Sequence, residues 1–272
     1  MDIKLIAMDL DGTALQNDRC SFSPRLDQAL LEAHRKGVAI VPVTGRQYWM
    51  LPPAVQGSPV WGNYVVTCNG GQIRKLHTGE LLDGLTIDRY ALEQLILISD
   101  RFGIPLEFSN NSCLHLTQDS YDKQLPVTRL AFHRDVILAR FGKIVERLDP
   151  SLEIEKVNLL CIPDAVREEV VQLLQGLPIS AVWSSADGLE ITHPDATKAN
   201  GLRKVCKMLG VDIQNAMSLG DSGNDLSMLS QAGLGVAMGN APDFVKAAAD
   251  VVTDDNDRDG AAIAIERYVL NR

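Results

Sequence analysis

The sequence is poor in the cysteine patterns that mark secreted or zinc-stabilised proteins. Its five cysteines are odd in number, lie far apart and include no pair with CxxC spacing. Because a disulfide framework needs paired cysteines and a zinc knuckle needs closely spaced ones, neither is predicted. We therefore expect reduced thiols in a cytosolic protein, at Cys20, Cys68, Cys113, Cys161 and Cys206.

Long apolar runs and an excess of basic residues are also missing. No run approaches the roughly 20 residues that a membrane-spanning helix needs, and residues 1–4 lack the form of a signal peptide. Lysine and arginine number 26 against 35 aspartates and glutamates, which gives a net charge of -9. We expect a cytoplasmic protein that binds neither membranes nor nucleic acids, although a few local cations could hold a small phosphorylated ligand.

Apolar residues are numerous enough for a folded core. Hydrophobic residues make up 46% and charged residues 22% of the 272 positions, proportions that exclude a disordered or low-complexity chain. The length suits one large domain or two of modest size.

The beginning of the chain has the pattern of a strand, a helix and a second strand. The apolar run Lys4–Met8 predicts a buried strand, and a helix follows with Ser23 as its N-cap and Pro24 in its first turn. The run Val38–Val43 predicts a second strand, parallel to the first. Pro42 is unexpected there, because it has no amide hydrogen for a central strand.

Strand and helix patterns alternate again at the end of the chain. Both ends therefore predict an α/β fold with a doubly wound, Rossmann-like parallel sheet. The predicted elements at this end are helices at 198–209, 225–232 and 261–269 and strands at 216–219, 234–238 and 251–252.

Residues 84–186 differ in pattern from both ends. We interpret this segment as an inserted α+β domain, which leaves residues 1–83 and 187–272 as a discontinuous core. The inserted segment has helix patterns at 88–102 and 164–175, a hairpin pattern at 105–117 and strand patterns at 157–161 and 179–183.

Two aspartates stand directly after the first predicted strand, in the segment Asp9-Leu10-Asp11-Gly12-Thr13. Ligands of open α/β sheets bind beyond the carboxyl ends of the strands. Residues two apart in an extended chain point to the same side, so both carboxylates can face one crevice. A match at four positions arises by chance in about one in a thousand sequences of this length, which favours chemistry over a solvated turn.

Three further polar motifs follow strands or begin a helix. Thr44-Gly45-Arg46 follows the second predicted strand, where a hydroxyl and exposed amides could hold phosphate oxygens. Gly220-Asp221-Ser222-Gly223-Asn224-Asp225 follows a third strand and adds acids and an amide, and Lys198 begins a predicted helix. Each of these three motifs alone is weak evidence for a site. Together with the Asp9–Thr13 segment they support one another, because the segments that follow strands are all expected at the same edge of the sheet.

The four motifs in this order resemble those of the haloacid dehalogenase superfamily, and more closely the Cof-type hydrolases with a large α/β cap of type IIB. Supporting matches are Cys68-Asn69-Gly70-Gly71 and Met238-Gly239-Asn240-Ala241. The resemblance implies a magnesium-dependent phosphohydrolase that cleaves phosphate monoesters of small metabolites through an aspartyl-phosphate intermediate. It also implies that residues 84–186 form the cap, which would close over the leaving group and set specificity.

The resemblance also assigns roles to individual residues. Asp9 would be the nucleophile that attacks phosphorus. Asp11 would protonate the leaving oxygen and then accept a proton from the attacking water. The remaining roles are Mg²⁺ binding by Asp9, Asp221 and the backbone carbonyl of Asp11, phosphate binding by Thr44, Gly45, Lys198 and Asn224, and support of Lys198 or of the metal's water by Asp225.

Three other functions compete with this one. Residues 220–223 match the tetrapeptide around the nucleophile of trypsin-like proteases, but that fold is all-β and needs a suitably placed histidine and aspartate. Residues 255–266 match the acidic positions of an EF-hand calcium loop, but a strand pattern precedes them and position 9 is Ile263. A phosphomutase or other phosphotransferase would use the same Asp9 chemistry and stays open, as do the natural substrate and the oligomeric state.

Overall fold

Strands and helices alternate along most of the chain. A computed structural model describes residues 2–127, 133–149 and 151–272. The strands are β1 (Leu5–Met8), β2 (Ala39–Pro42), β3 (Tyr64–Thr67), β4 (Gln72–Lys75), β5 (Leu81–Gly84), β6 (Leu106–Ser109), β7 (Leu114–Thr117), β8 (Gly142–Val145), β9 (Lys156–Leu159), β10 (Ser180–Ser185), β11 (Gly188–Thr192), β12 (Ala216–Gly220), β13 (Leu234–Ala237) and β14 (Val251–Val252). The helices are α1 (Pro24–Arg35), α2 (Pro53–Gln56), α3 (Arg89–Phe102), α4 (Gln118–Gln124), α5 (Ala139–Phe141), α6 (Arg167–Leu174), α7 (Lys198–Leu209), α8 (Leu226–Leu229), α9 (Asp243–Lys246) and α10 (Gly260–Ile265).

The chain divides into two compact units. The first combines Met1–Gly84 with Ala196–Arg272, and the second is Leu85–Asp195. The sequence predicts an insertion at 84–186. Its predicted end, residue 186, lies nine residues before the end of the second unit at Asp195. The structural boundary lies later because β11 pairs with both β9 and β10, and an end at residue 186 would separate β11 from that sheet.

The first unit is built on a parallel sheet of five strands in the order β14-β13-β12-β1-β2. From β1 the chain continues to β2 on one side, and the later strands lie on the other side. Such a reversal leaves a crevice at the carboxyl ends of the two central strands, here β1 and β12. The predicted doubly wound α/β fold is confirmed.

Side chains of the parallel sheet alternate between two apolar layers. In β1, Ile6 and Met8 belong to one buried cluster, whereas Leu5 and Ala7 belong to another. This alternation is what a strand covered on both faces requires. Helix α1 packs against α10 over the first layer, and α7 contributes Leu202 to the second.

Pro42 is accommodated because β2 lies at the edge of the parallel sheet. Amide directions alternate along a strand, and the Val43 amide points to β1, where it donates to the Met8 carbonyl at 2.9 Å. An amide hydrogen at position 42 would therefore point away from β1. On the side away from β1, the Thr44 amide donates to the Val66 carbonyl, and this bond lies beyond Pro42. The proline therefore removes no hydrogen bond between β1 and β2.

A small antiparallel sheet of β3, β4 and β5 completes the first unit. No strand is predicted from the sequence in this segment. A parallel bridge between Val43 and Val66 joins its first strand to the end of β2. The turn Cys68–Gly70, between β3 and β4, is thereby placed at the same edge of the molecule as the end of β2.

The second unit is an α+β domain, as predicted. Its six-stranded sheet has the order β10-β11-β9-β6-β7-β8 and is antiparallel except for β7 and β8. One face is apolar and buries residues of α3 and α6, among them Leu95 and Val170. Asp88 caps α3 by accepting from the amides of Tyr90 and Ala91.

No helix in the described residues is long and apolar enough to cross a membrane.

Candidate active site

Asp9 and Asp221 meet because β1 and β12 are neighbouring parallel strands. Met8 pairs with Leu219, and the Asp9 amide donates to the Leu219 carbonyl at 3.1 Å. Asp225 follows Asp221 by one short helical turn. Carboxylate oxygens of Asp9, Asp221 and Asp225 all lie within 4.8 Å of one another. Three acids are therefore gathered at the crevice where open α/β sheets bind ligands.

Lys198 supplies the positive charge at this acidic cluster. It is the first residue of α7, whose N-cap, Thr197, accepts from the Asn200 amide. The Lys198 Nζ lies 2.8 Å from Asp9 Oδ1 and 2.7 Å from Asp225 Oδ1, and its side chain is 0% exposed. Burial by itself lowers the pKa of a lysine, but the carboxylates of Asp225 and Asp9 raise the pKa of Lys198 above its ordinary value. The lysine is therefore charged at neutral pH.

Asp225 holds both the lysine and the loop that carries Asp221. While its Oδ1 accepts from Lys198, its Oδ2 accepts from the backbone amides of Asp221 and Ser222, each at 3.0 Å. Both oxygens of this buried carboxylate are thus engaged. The arrangement suits support of Lys198 better than direct coordination of a metal.

Asp9 and Asp221 each keep one carboxylate oxygen for a ligand. Lys198 contacts Oδ1 of Asp9, and the Thr13 hydroxyl donates to Oδ1 of Asp221 at 2.8 Å. Within the described residues, neither Oδ2 has a hydrogen-bond partner. Burial, together with the charges of Asp225 and Asp221, raises the pKa of Asp9 well above its ordinary value, although Lys198 opposes this. Burial and the charge of Asp225 raise the pKa of Asp221 to about 6.

The cluster fits a small divalent cation. Carboxylate oxygens are the ligands that Mg²⁺ prefers. Burial first, and then repulsion among the acids, raises the pKa values of Asp9 and Asp221 although Lys198 opposes this. A cation would offset that repulsion. Among the residues that the structure describes, Asp9, Asp221 and Asp225 form the one group of acids close enough to share an ion.

Neither competing motif forms its expected site. In the acidic segment 255–266, Asp257 accepts from Asn17, and Glu266 pairs with Arg25 at 2.7 Å. The EF-hand alternative is not supported, because its last ligand is used elsewhere. The Ser222 hydroxyl donates to Asn224 at 2.7 Å and contacts Asp225, and within the described part of the chain no histidine is among its partners. The protease alternative is not supported either.

The turn Cys68–Gly70 connects the Thr44 loop to the acidic cluster. The Asn69 amide donates to the Thr44 carbonyl at 3.1 Å, and the Asn69 Oδ1 accepts from Asn224 Nδ2 at 2.9 Å. Gly70 is required here because its φ is +100° and a Cβ would lie 2.0 Å from the Thr197 carbonyl oxygen. The structure therefore brings Thr44, Asn224 and the N-terminus of α7 together through this turn. From the sequence, the turn is only a supporting match to the family and has no predicted role in the site.

Gly12 lets the loop after β1 approach Asp221 closely. Its φ is +73°, and a Cβ at this position would lie 2.4 Å from Asp221 Oδ2. Asn240 fixes the loop by donating to the Gly12 carbonyl at 2.8 Å, and it accepts from the Asn256 amide at 3.0 Å. This contact gives a structural reason for the second supporting match, Met238–Ala241.

The carboxylate of Asp11 does not join the other acids. It forms a bidentate ion pair with Arg46, with 2.7 Å from Nε to Oδ2 and 2.6 Å from Nη2 to Oδ1. Arg46 belongs to the predicted motif Thr44-Gly45-Arg46, in which no separate role for its side chain is predicted. Of the predicted site residues, Asp9, Asp221 and Asp225 cluster together, Lys198 contacts Asp9 and Asp225, and Asp11 points to Arg46.

Comparison with protein-family models identifies the family. A model described as haloacid dehalogenase-like hydrolase matches residues 6–265. The chain is 32% identical over 271 residues to 5-amino-6-(5-phospho-D-ribitylamino)uracil phosphatase YcsE of Bacillus subtilis, covering 99% of this chain and 97% of the relative. It is 27% identical over 286 residues to pyridoxal phosphate phosphatase YbhA of Escherichia coli, covering 99% and 100%.

Solved structures agree on the fold. The HAD subclass IIB sugar phosphatase BT4131 superposes with a TM-score of 0.83 at 24% identity, covering 97% of this chain and 98% of that one. The phosphatase BT1666 from Bacteroides thetaiotaomicron gives 0.82 at 24% identity, covering 97% and 94%. The motif resemblance is confirmed. The chain therefore belongs to the haloacid dehalogenase-like hydrolase family and is a phosphatase.

Proposed function

We propose that this phosphatase hydrolyses phosphate monoesters of small metabolites through an aspartyl-phosphate on Asp9. The observation that carries the proposal is the state of the Asp9 carboxylate. Lys198 fixes one of its oxygens at 2.8 Å, and the other has no hydrogen-bond partner among the described residues. A nucleophilic oxygen must be held in place and still be available to the phosphorus atom.

Asp9, Asp221 and the backbone carbonyl of Asp11 would hold Mg²⁺. When bound, the ion neutralises the acidic cluster and stabilises charge on the phosphoryl oxygens. Lys198, the Thr44 hydroxyl, the Gly45 amide and Asn224 would bind those oxygens. Thr44 and Lys198 are both buried, so their interactions with a phosphate would be little screened by water.

Two displacements account for the whole reaction. An Asp9 oxygen attacks phosphorus, and the ester oxygen leaves with a proton from Asp11. A water molecule then attacks the phosphorus of the aspartyl-phosphate while Asp11 accepts one of its protons. Asp9 is released as a carboxylate, and the sum is phosphate ester plus water giving alcohol plus inorganic phosphate.

The names of the similar proteins indicate a class of substrate, the small phosphorylated metabolites. YcsE, YbhA and BT4131 are named for a ribitylamino-uracil phosphate, pyridoxal phosphate and sugar phosphates. We propose a phosphorylated metabolite of that size. We also propose that the second unit, residues 85–195, selects the leaving group, because every proposed phosphate contact belongs to the first unit. Exchange of this unit for that of YbhA should change the preferred ester and leave phosphate inhibition unchanged.

The test compares Asp9→Asn with Asp243→Asn, an exposed acid of the same unit. Phosphate release from a panel of sugar phosphates, flavin mononucleotide and pyridoxal phosphate is measured with and without Mg²⁺. Asp9→Asn should lose activity by at least about a thousandfold, and the control should retain it. Full Mg²⁺-dependent activity in Asp9→Asn would contradict the covalent mechanism. An isomeric phosphate ester as the product would instead identify a phosphomutase.

A further inference from the structure

Arg46 is fixed by several hydrogen bonds in addition to its pair with Asp11. Its Nη1 donates to the Met50 carbonyl at 3.2 Å, and its Nη2 donates to the Arg19 carbonyl at 3.0 Å. The side chain is 17% exposed. Because the guanidinium is planar and held from several sides, its position and plane are set by the backbone around it.

Asp11, by contrast, depends on Arg46 alone. Its side chain is 38% exposed. Within the described residues, every hydrogen bond of the Asp11 carboxylate comes from Arg46. A bidentate pair fixes the carboxylate plane as well as its place. Without Arg46 the side chain would be free to adopt other rotamers.

We propose that Arg46 is a positioning residue, which donates to one lone pair of each Asp11 oxygen in a fixed plane and leaves the outer lone pairs to carry the proton that passes to the leaving group. The inference rests on the proposed function of Asp11. Four of the five guanidinium N–H groups are used by Asp11, Met50 and Arg19. Arg46 therefore acts on the reaction through Asp11, and binding of the substrate phosphate is the competing role.

The two roles predict different dependence on the leaving group. A primary alkoxide is a poor leaving group and needs a proton as the bond to phosphorus breaks, whereas p-nitrophenolate leaves as a stable anion. The ratio kcat/KM reports the steps up to phosphorylation of Asp9. A displaced Asp11 slows this step for an alkyl phosphate and spares it for p-nitrophenyl phosphate. A lost phosphate contact slows it for both.

The experiment uses the full chain with Mg²⁺ and the variants Arg46→Gln and Arg46→Lys. Arg25→Gln is the matched control, because Arg25 also forms a bidentate pair, with Glu266, in the same unit. Thermal unfolding checks that each variant is folded. Lysine keeps the charge without the planar fork, so Arg46→Lys provides a milder change should Arg46→Gln fold poorly.

In Arg46→Gln we expect kcat/KM for an alkyl phosphate to fall about ten- to a hundredfold. The value for p-nitrophenyl phosphate should change by less than about threefold, and inhibition by inorganic phosphate should not change. Arg46→Lys should lie between wild type and Arg46→Gln, and the control should match wild type. Equal losses for both esters, or weaker phosphate inhibition, would overturn the inference. That result is separate from the Asp9→Asn experiment, which alone tests the covalent mechanism.

Discussion

Replacement of Asp221 by asparagine should stabilise the protein without Mg²⁺ and remove the stabilisation that Mg²⁺ provides. The reason is that Asp221 is largely buried, beside other acids, at the carboxyl ends of β1 and β12. Burial and the charge of Asp225 raise the pKa of Asp221 from its ordinary 3.8 to about 6. The ionised carboxylate is therefore unfavourable in the folded state. Asparagine has nearly the same shape, carries no charge and can still accept from Thr13.

The size of the effect follows from proton linkage. The folded state binds the Asp221 proton more tightly than the unfolded state, so stability falls as pH rises from about 4 to about 6 and stays lower above that. A pKa of about 6 against 3.8 corresponds to at most ~3 kcal/mol at neutral pH. Because a buried asparagine amide also loses hydration, we expect Asp221→Asn to gain about 1 to 3 kcal/mol. The same substitution at pH 5 should gain less.

Thermal unfolding at pH 7.5 and pH 5, with and without Mg²⁺, measures these changes. At this chain length a gain of 1 kcal/mol raises Tm by roughly 2 to 4 °C. Mg²⁺ at a hundred times its Kd should stabilise the wild type by about 2.7 kcal/mol, and Asp221→Asn much less. Asp243→Asn, at an exposed acid, should show neither effect. A lower Tm for metal-free Asp221→Asn at pH 7.5, or an undiminished Mg²⁺ response, would refute the reasoning.

Two further substitutions test the same site. Lys198→Met leaves the buried carboxylates of Asp9 and Asp225 without their cation, so unfolding in denaturant should show a loss of about 3 to 5 kcal/mol. The double variant Lys198→Met/Asp225→Asn should recover part of that stability but no activity, and no recovery would argue against the ion pair as the cause. Gly12→Ala places a Cβ 2.4 Å from Asp221 Oδ2 at a φ of +73° and should lower activity at least tenfold, as phosphate release would show. Wild-type activity in Gly12→Ala would mean that the close approach to Asp221 is not needed.

The acidic cluster could be predicted from sequence because it depends on strand ends and helix caps. A strand pattern followed by acids predicts a position at the carboxyl edge, and parallel pairing of β1 with β12 then brings Asp9 and Asp221 together. Helix α7 begins at Lys198 and ends at Leu209, as predicted, because Thr197 caps its start and Gly210 adopts φ +67° after its end. These signals are local in sequence.

Contacts that depend on side-chain direction or long-range pairing could not be predicted in this way. Arg46 and Asp11 lie 35 residues apart, and nothing in either motif specifies that their side chains meet. The turn at Asn69, with φ +56°, has no local glycine signal at that residue. Strand β11 lies within the residues predicted to belong to the core, because no pattern within Gly188–Thr192 tells which sheet it joins. The strands of β3, β4 and β5 are only four residues each, too short for a clear period.

The charges of the site set the order in which ligands can bind. With Asp9, Asp221 and Asp225 ionised and Lys198 protonated, three negative charges and one positive charge leave the cluster at about -2. A phosphate dianion would be repelled from that crevice, in a protein whose net charge is already -9. A divalent cation would bring the cluster to about zero, and the proposed phosphate ligands Lys198 and the amides near Thr44 would then attract the dianion. An acidic protein could thus bind phosphate esters once a metal has neutralised the acidic cluster, and Asp225 contributes by keeping Lys198 charged and in place.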